Sequence, residues 1–244
     1  MNQSRLNNPV ALITGANSGI GEAIAHRLAA DGYTIVVNGR REAENQRVAR
    51  ELKEKHQVHT HVLTGDVSEE PTCQNLVTET VALTGQLDVL INNAGVGSQG
   101  TRIADSDTAT FDRVLKTNLY SCYWLSREAF RQMEQQALSE ERSLRGAIIN
   151  IASVCGVEAW AGAGIYCTSK HGMMALTHAM AEEGEEAAIR VAAICPAMVA
   201  TAMTGVSGEA YIQPTDIANT VHYLLSLSPA AWPKEIVVNR RGAD

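Results

Sequence analysis

Tyr166 and Lys170 stand four residues apart, a spacing that on a helix projects both side chains from one face. An ammonium beside a phenol favours the phenolate, so the pair predicts a Tyr166 pKa drawn down from about 10 toward working pH. Such a tyrosine can give a proton to a carbonyl or take one from an alcohol. Ser153 comes thirteen residues earlier, just after the apolar run Ala147–Ile151. Open α/β sheets gather their ligands at such strand ends, and the Ser153 hydroxyl there could bind a substrate oxygen and stabilise developing charge. Singly, each residue is ordinary. Together they predict carbonyl–alcohol chemistry, which requires a hydride carrier.

A carrier site is legible near the start of the chain. Thr14-Gly15-Ala16-Asn17-Ser18-Gly19-Ile20-Gly21 has the glycine spacing G-x-x-x-G-x-G between a predicted strand and a predicted helix. Gly15 suits the tight turn, Gly19 a close approach of backbone N–H groups to a pyrophosphate, and Gly21 close packing of helix on sheet. The helix N-terminus adds partial positive charge for the phosphates. Cofactor contacts are expected from Gly15, Asn17, Ser18, Ile20 and Gly21; the bland alternative is a Gly-rich βα turn. About twenty residues on, Val36-Val37-Asn38-Gly39-Arg40-Arg41 lacks the carboxylate that normally holds a ribose 2′-hydroxyl. A guanidinium binds a 2′-phosphate bidentately, so Arg40, helped by Arg41, points to NADP(H); two solvated arginines opening a helix is the other reading. Asp66 and Val67 end the third strand and suit the adenine, although Asp66 or Ser68 would equally serve as an N-cap. The small residues Asn93, Ala94 and Gly95 after the fourth strand would let a cofactor pass close.

The elements that must position these residues alternate. Predicted strands are Val10–Thr14, Thr34–Asn38, Val58–Thr64, Leu87–Asn92, Ala147–Ile151, Arg190–Cys195 and Glu235–Val238. Most are continuously apolar, as expected where both faces are covered. Predicted helices are Gly19–Asp31, Glu42–His56, Glu69–Thr84, Asp107–Leu138, Ile165–Gly184 and Thr215–Leu227. The series predicts an α/β, doubly wound parallel sheet of about seven strands with helices on both faces. No Pro/Ser-rich linker interrupts the 244 residues, so one domain over 1–244 is expected, with Gln135–Arg145 as a polar surface extension. Lys and Arg total 20 against 27 Asp and Glu, a net charge of −7 without a basic block, which argues against nucleic acid and anionic membrane. Five cysteines without metal spacing, and no secretory h-region among the first residues, point to the cytoplasm.

Taken together, Thr14–Gly21, Asp66, Asn92–Gly95, Asn118, Ser153, Tyr166-x-x-x-Lys170 and Pro196 through Thr201 resemble the short-chain dehydrogenase/reductase family. They do so in the family's order over about residues 9 to 240, and the likeness is to its smaller single-domain branch, the 3-oxoacyl-[acyl-carrier-protein] reductase type. The resemblance implies a Rossmann-type fold and an Asn118–Ser153–Tyr166–Lys170 tetrad. Tyr166 would be the acid/base and Ser153 would orient the carbonyl. Lys170 would bind the nicotinamide ribose and depress the Tyr166 pKa, and Asn118 would hold a water linking Lys170 to solvent. Pro196, the Val199 backbone and the Thr201 hydroxyl would lie against the nicotinamide carboxamide. Ala197 departs from the glycine more usual after this proline, and Ala192 from a frequent asparagine.

Only twelve residues separate Thr201 from Pro214, which predicts a short lid and an open pocket. The C-terminus lacks the Asp-Gly-Gly tail of many relatives, leaving a homodimer through Asp107–Leu138 and Ile165–Gly184 and a homotetramer both open. His59 and His61 read as a solvated strand edge, not a metal site, and Cys155 and Cys167 as inert thiols. Glu158 and Trp160 divide evenly between pocket lining and loop packing. The expected activity is NADP(H)-dependent interconversion of a small-molecule carbonyl and a secondary alcohol, reduction being the favoured direction. A non-catalytic NADP(H)-binding sensor or scaffold on the same fold is the alternative.

Overall fold

A computed structural model of the chain describes residues 8–98, 100–138 and 143–242. The first seven residues, position 99, positions 139–142 of the expected surface extension and the last two of the C-terminal tail lie outside it. Seven strands, β1 (Val10–Ile13), β2 (Thr34–Gly39), β3 (Thr60–Thr64), β4 (Val89–Asn92), β5 (Gly146–Ile151), β6 (Ile189–Pro196) and β7 (Glu235–Val238), form one sheet in the order β3-β2-β1-β4-β5-β6-β7. Every pairing is parallel. The order reverses between β1 and β4, the place where open sheets of this kind bind ligands. The expected doubly wound, Rossmann-type sheet is therefore present.

Successive residues of a strand face opposite sides, and the core divides accordingly. Ala11 and Ile13 pack with Ile24 and Leu28 of α1 (Gly19–Ala30), Val48 and Leu52 of α2 (Glu42–His56) and Val221 of α7 (Pro214–Ser226). Val10 and Leu12 face Leu76 of α3 (Glu70–Thr84), Leu125 and Met133 of α5 (Ser121–Glu134) and Ala181 of α6 (Gly164–Ala187). The central strands are buried on both faces, whereas the edge strand β7 alternates. Among the described residues no helix is long and apolar enough to cross a membrane.

One expected element is divided. The predicted helix Asp107–Leu138 is α4 (Thr108–Leu115), a π turn over Lys116–Tyr120, and α5 ending at Glu134. Asp107 is its N-cap, accepting from Thr110 N at 2.7 Å. Its far end is shortened because the Gln136 side chain is drawn away to Leu87 N, Leu87 O and Arg145 O. A π turn widens the helix by one residue, often at functional sites, and this one contains Asn118. Other boundaries differ from expectation by a few residues at strand and helix ends.

Candidate active site

The glycine loop adopts the conformation its composition allows. Gly15 and Gly19 have φ of +62° and +57°, in the left-handed region that side chains disfavour. A Cβ on Gly21 would run into the Gly15 carbonyl oxygen, so glycine lets α1 start hard against the loop. Thr14 Oγ1 donates to Ile91 O and accepts from Asn93 N and Ala94 N, all within 3.2 Å. Asn93 Nδ2 returns bonds to Thr14 O and Gly15 O. The loop and the Asn93-Ala94-Gly95 turn are thus one unit. Ser18, at the N-cap of α1, makes no side-chain cap bond, which leaves that helix end available to an anion. This cradle fits a dinucleotide pyrophosphate.

Asn17 holds the loop from below. Its Nδ2 donates to Asn45 Oδ1 at 2.8 Å, and Asn45 Nδ2 donates to Gly39 O and Thr64 Oγ1. Arg47 reaches the Asn17 carbonyl and pairs with Glu22, Glu44 and Glu51. Neither Asn45 nor Arg47 is expected from sequence: polar residues at those helix positions carry no signal of an inward partner. Arg40 lies exposed at the end of β2, 3.7 Å from Asp66 Oδ2, and Arg41 is the N-cap of α2. Asp66 Oδ1 accepts from Ser68 N, but the N-cap of α3 is Glu69, so neither Asp66 nor Ser68 caps that helix as the alternative reading had it.

Ser153 follows β5 and opens a 3₁₀ turn, its Oγ accepting from Cys155 N and lying 3.4 Å from Pro196 O. Tyr166 and Lys170 project from α6. The Lys170 ammonium is buried, donates to Ile151 O at 2.8 Å, and lies 5.8 Å from the centre of the Tyr166 ring. Burial holds its pKa down to about 8. The expected depression of the Tyr166 pKa is not found. Burial pushes the phenol well above its ordinary 10.0, and only the Ser153 hydroxyl pulls the other way. Spacing brings the two side chains to one face, but burial of the phenol decides its pKa.

Asn118 is fully buried inside the π turn. Its Oδ1 accepts from Val96 N, and Nδ2 donates to Val96 O and to Ser169 Oγ, which donates to Tyr166 O. Both amide hydrogens are committed, so the side chain is a brace between the β4 loop and α6 and has no hydrogen left for a bridging water.

A cleft of about 740 Å³ runs across the strand ends. Of the expected site residues only Gly21 and Asn118 stay behind its wall; Val67, Val199, Thr201 and the others face it. Trp160 lines it and Glu158 does not, which divides that pair. Cys155 lines it too, and burial pushes its thiol up to about 12, consistent with an inert residue. Val96, Val154 and Met203, also in the wall, belong to no motif that announces them, and Met198 lies inside the stretch from Pro196 to Thr201 without a signal of its own. Between Thr201 and Pro214 the chain forms a compact turn. Thr204 Oγ1 donates to Val199 O and Thr201 O, and Val199 bridges Ile212.

Residues 9–211 match the family model described as short chain dehydrogenase. The chain is 33% identical over 200 residues to a 3beta-hydroxysteroid dehydrogenase of Mediterraneibacter gnavus, covering 82% of this chain and 69% of that protein. It is 31% identical over 236 residues to a 3-oxoacyl-[acyl-carrier-protein] reductase of Rickettsia prowazekii, covering 91% and 90%. Among solved structures, an actinorhodin polyketide ketoreductase variant with NADPH superposes with a TM-score of 0.84 at 32% identity, covering 96% of this chain and 95% of that one.

Proposed function

The chain belongs to the short chain dehydrogenase family of oxidoreductases acting on CH–OH groups, and we propose that it is an NADP(H)-dependent carbonyl reductase. One observation carries the reading: a single cleft joins the glycine loop and Arg40 at one end to Ser153, Tyr166 and Lys170 at the other. The NADPH carried by the ketoreductase relative supports the choice of cofactor.

Gly15, Asn17, Ser18, Ile20 and the α1 N-terminus would hold the pyrophosphate, with Gly21 packing behind them. Arg40 and Arg41 would hold the 2′-phosphate, and Asp66 and Val67 the adenine. Asn93, Ala94 and Gly95 would border the cofactor's middle. Lys170 would bind the nicotinamide ribose, and Pro196, Val199 and Thr201 the carboxamide side. NADPH, when bound, would supply the hydride for the carbonyl carbon. Ser153 hydrogen-bonds the carbonyl oxygen and stabilises its developing charge. Tyr166 gives that oxygen its phenolic proton, recovered afterwards from solvent, so carbonyl, NADPH and H⁺ become alcohol and NADP⁺. The phenol, raised by burial, is protonated at neutral pH and so in the form that can donate. Asn118 is a positioning residue that fixes the Tyr166 turn of α6.

The apolar groove of Leu119, Tyr120, Tyr123, Gly172, Ala175 and Leu176, on the π turn, α5 and α6, supports a homodimer across that face. Five buried free cysteines support a reducing, cytoplasmic setting for what acts as one dinucleotide-binding domain. The test is a carbonyl panel followed by NADPH consumption with NADH alongside; absence of reduction by a protein that binds NADPH would leave only the sensor reading.

A further inference from the structure

Resting on the reductase reading above, we propose that the substrate is an uncharged ketone of bulky apolar skeleton, covered by Trp160, Met198 and Met203. The charges lining the cleft are unequally placed. Among its described lining residues only Arg40, Arg41, Asp66 and Lys170 carry formal charge. Arg40 and Arg41 follow β2, which is three strand positions from β5 and Ser153, about 14 Å at ordinary strand spacing; Asp66 follows the still more distant β3. Lys170 lies at the floor, its buried ammonium donating to Ile151 O and, in the reading above, kept for the nicotinamide ribose.

The end of the cleft around Ser153 and Tyr166 is therefore walled without a carboxylate, and its one described charge is the Lys170 ammonium at the floor. Instead it presents Val96, Val154, Trp160, Met198 and Met203. Trp160, Met198 and Met203 are 46%, 39% and 60% exposed, a concentration of large apolar side chains kept in water at a concave site. Such a patch gains free energy only when something apolar covers it. The wall bearing Trp160 is fastened, because Gly100 N donates to Gly162 O at 2.8 Å across the two loops. Met203 rides on the turn closed by Thr204, and unbranched thioethers adapt to irregular skeletons.

A carboxylate, phosphate or ammonium set against the apolar wall would lose water and meet no opposite charge there, Lys170 lying at the floor beside the ribose position, which disfavours charged carbonyl compounds. The Ser153 and Tyr166 hydroxyls offer a place for one oxygen, matching a ketone with a single polar group. The reaction is the one already balanced: the carbonyl carbon gains hydride from NADPH, its oxygen gains the Tyr166 proton, and NADP⁺ departs.

The protein loaded with NADP⁺ would be titrated with 2-tetralone, with a carboxylate-bearing tetralone and with acetoacetyl-CoA, reading tryptophan fluorescence; the same compounds would then be assayed for turnover with NADPH. Tighter binding and a kcat/KM for 2-tetralone at least about tenfold above both charged compounds is the expected result. Trp160→Ala and Met203→Ser should each raise KM for 2-tetralone about three- to tenfold, with the NADPH dissociation constant in place. Preference for either charged compound, or a KM for 2-tetralone unmoved in both variants, overturns the proposal while leaving the reductase reading intact. Binding of 2-tetralone that is lost in Trp160→Ala, without turnover of any carbonyl, sinks the reductase reading and supports the apolar site.

Discussion

The carboxamide of Asn17 occupies the space that a side chain on Gly39 would need. A Cβ built at Gly39 overlaps both Asn17 Nδ2 and Asn45 Oδ1, which are themselves hydrogen-bonded at 2.8 Å. Asn45 is fully buried and also secures Gly39 O and Thr64 Oγ1. The end of β2 is therefore closed to an acidic residue by a buried amide pair, and not only furnished with Arg40. Gly39→Asp should lower stability by about 1–3 kcal/mol through overpacking and fail to confer NADH use. Urea midpoints and the two cofactor dissociation constants check this; a stable Gly39→Asp protein that prefers NADH would refute it.

Arg40 itself is open to test. It is 68% exposed, with Asp66 3.7 Å away as its ion-pair partner, so its loss should cost the fold little. A guanidinium gives a phosphate two charge-assisted bonds, and Glu at the same place repels it. Arg40→Glu should weaken NADPH binding by about tenfold or more and NADH binding by much less. Calorimetric titration of both cofactors decides, and an unchanged ratio would make Arg40 a surface residue.

What can be read in advance follows from range. Apolar runs such as Ile35-Val36-Val37 in β2 and Ala147-Ile148-Ile149 in β5 announce buried parallel strands because burial on two faces leaves no room for alternation. The glycine loop is legible because Gly15 and Gly19 need backbone angles that composition alone can betray. The π turn at Asn118 is not, since apolar periodicity runs through it and one inserted residue leaves no trace in a pattern that drifts anyway. Asn45, Arg47 and the apolar wall of Trp160, Met198 and Met203 are set by contacts between distant segments. The Tyr166 pKa escapes the sequence for the same reason: spacing reports a neighbour, but depth depends on the whole fold.

Because that phenol is held protonated at neutral pH, the two directions of reaction should respond differently to pH. Reduction uses the protonated form, whereas alcohol oxidation needs the phenolate. Oxidation with NADP⁺ should accelerate from about pH 7 toward 10 more steeply than reduction changes. Tyr166→Phe should abolish both directions, on the order of a thousandfold or more, with NADPH affinity within a few-fold of wild type. Initial rates in both directions and fluorescence titration of NADPH provide the measurements; retained turnover in Tyr166→Phe would remove Tyr166 from the mechanism.

The apolar groove on the π turn, α5 and α6 makes a separate demand. Tyr120 and Tyr123 are each 44% exposed beside Leu119, Ala175 and Leu176, and a like surface on a second copy would cover them. Ala175→Arg places a charge in that groove and should convert a dimer to monomer in sedimentation equilibrium. A wild-type protein already monomeric at micromolar concentration would overturn the assignment.

Lys170 ties function to stability through pH. Burial lowers its pKa from the ordinary 10.5 to about 8. Between those two values the unfolded chain binds a proton that the folded chain has released, so this residue makes stability rise with pH across the window. Below about pH 8 both forms are charged and the folded protein carries the full desolvation penalty. Lys170→Met removes that penalty. The variant should be more stable than wild type at pH 7 by on the order of 2 kcal/mol, the orphaned Ile151 carbonyl taking back part of the gain. Its advantage should shrink as pH rises from about 8 toward 10.5, because only the wild type improves there. Buried thiols such as Cys195, pushed up to about 11 by burial, also titrate differently in the folded and unfolded chains at high pH, and because Lys170 itself draws Cys195 down, the comparison stops at about pH 9.5 to keep their part small. Urea midpoints of the pair at about pH 7 and 9.5 test the claim, and a stability gap that stays constant between those two values would mean that Lys170 carries no burial penalty of this kind.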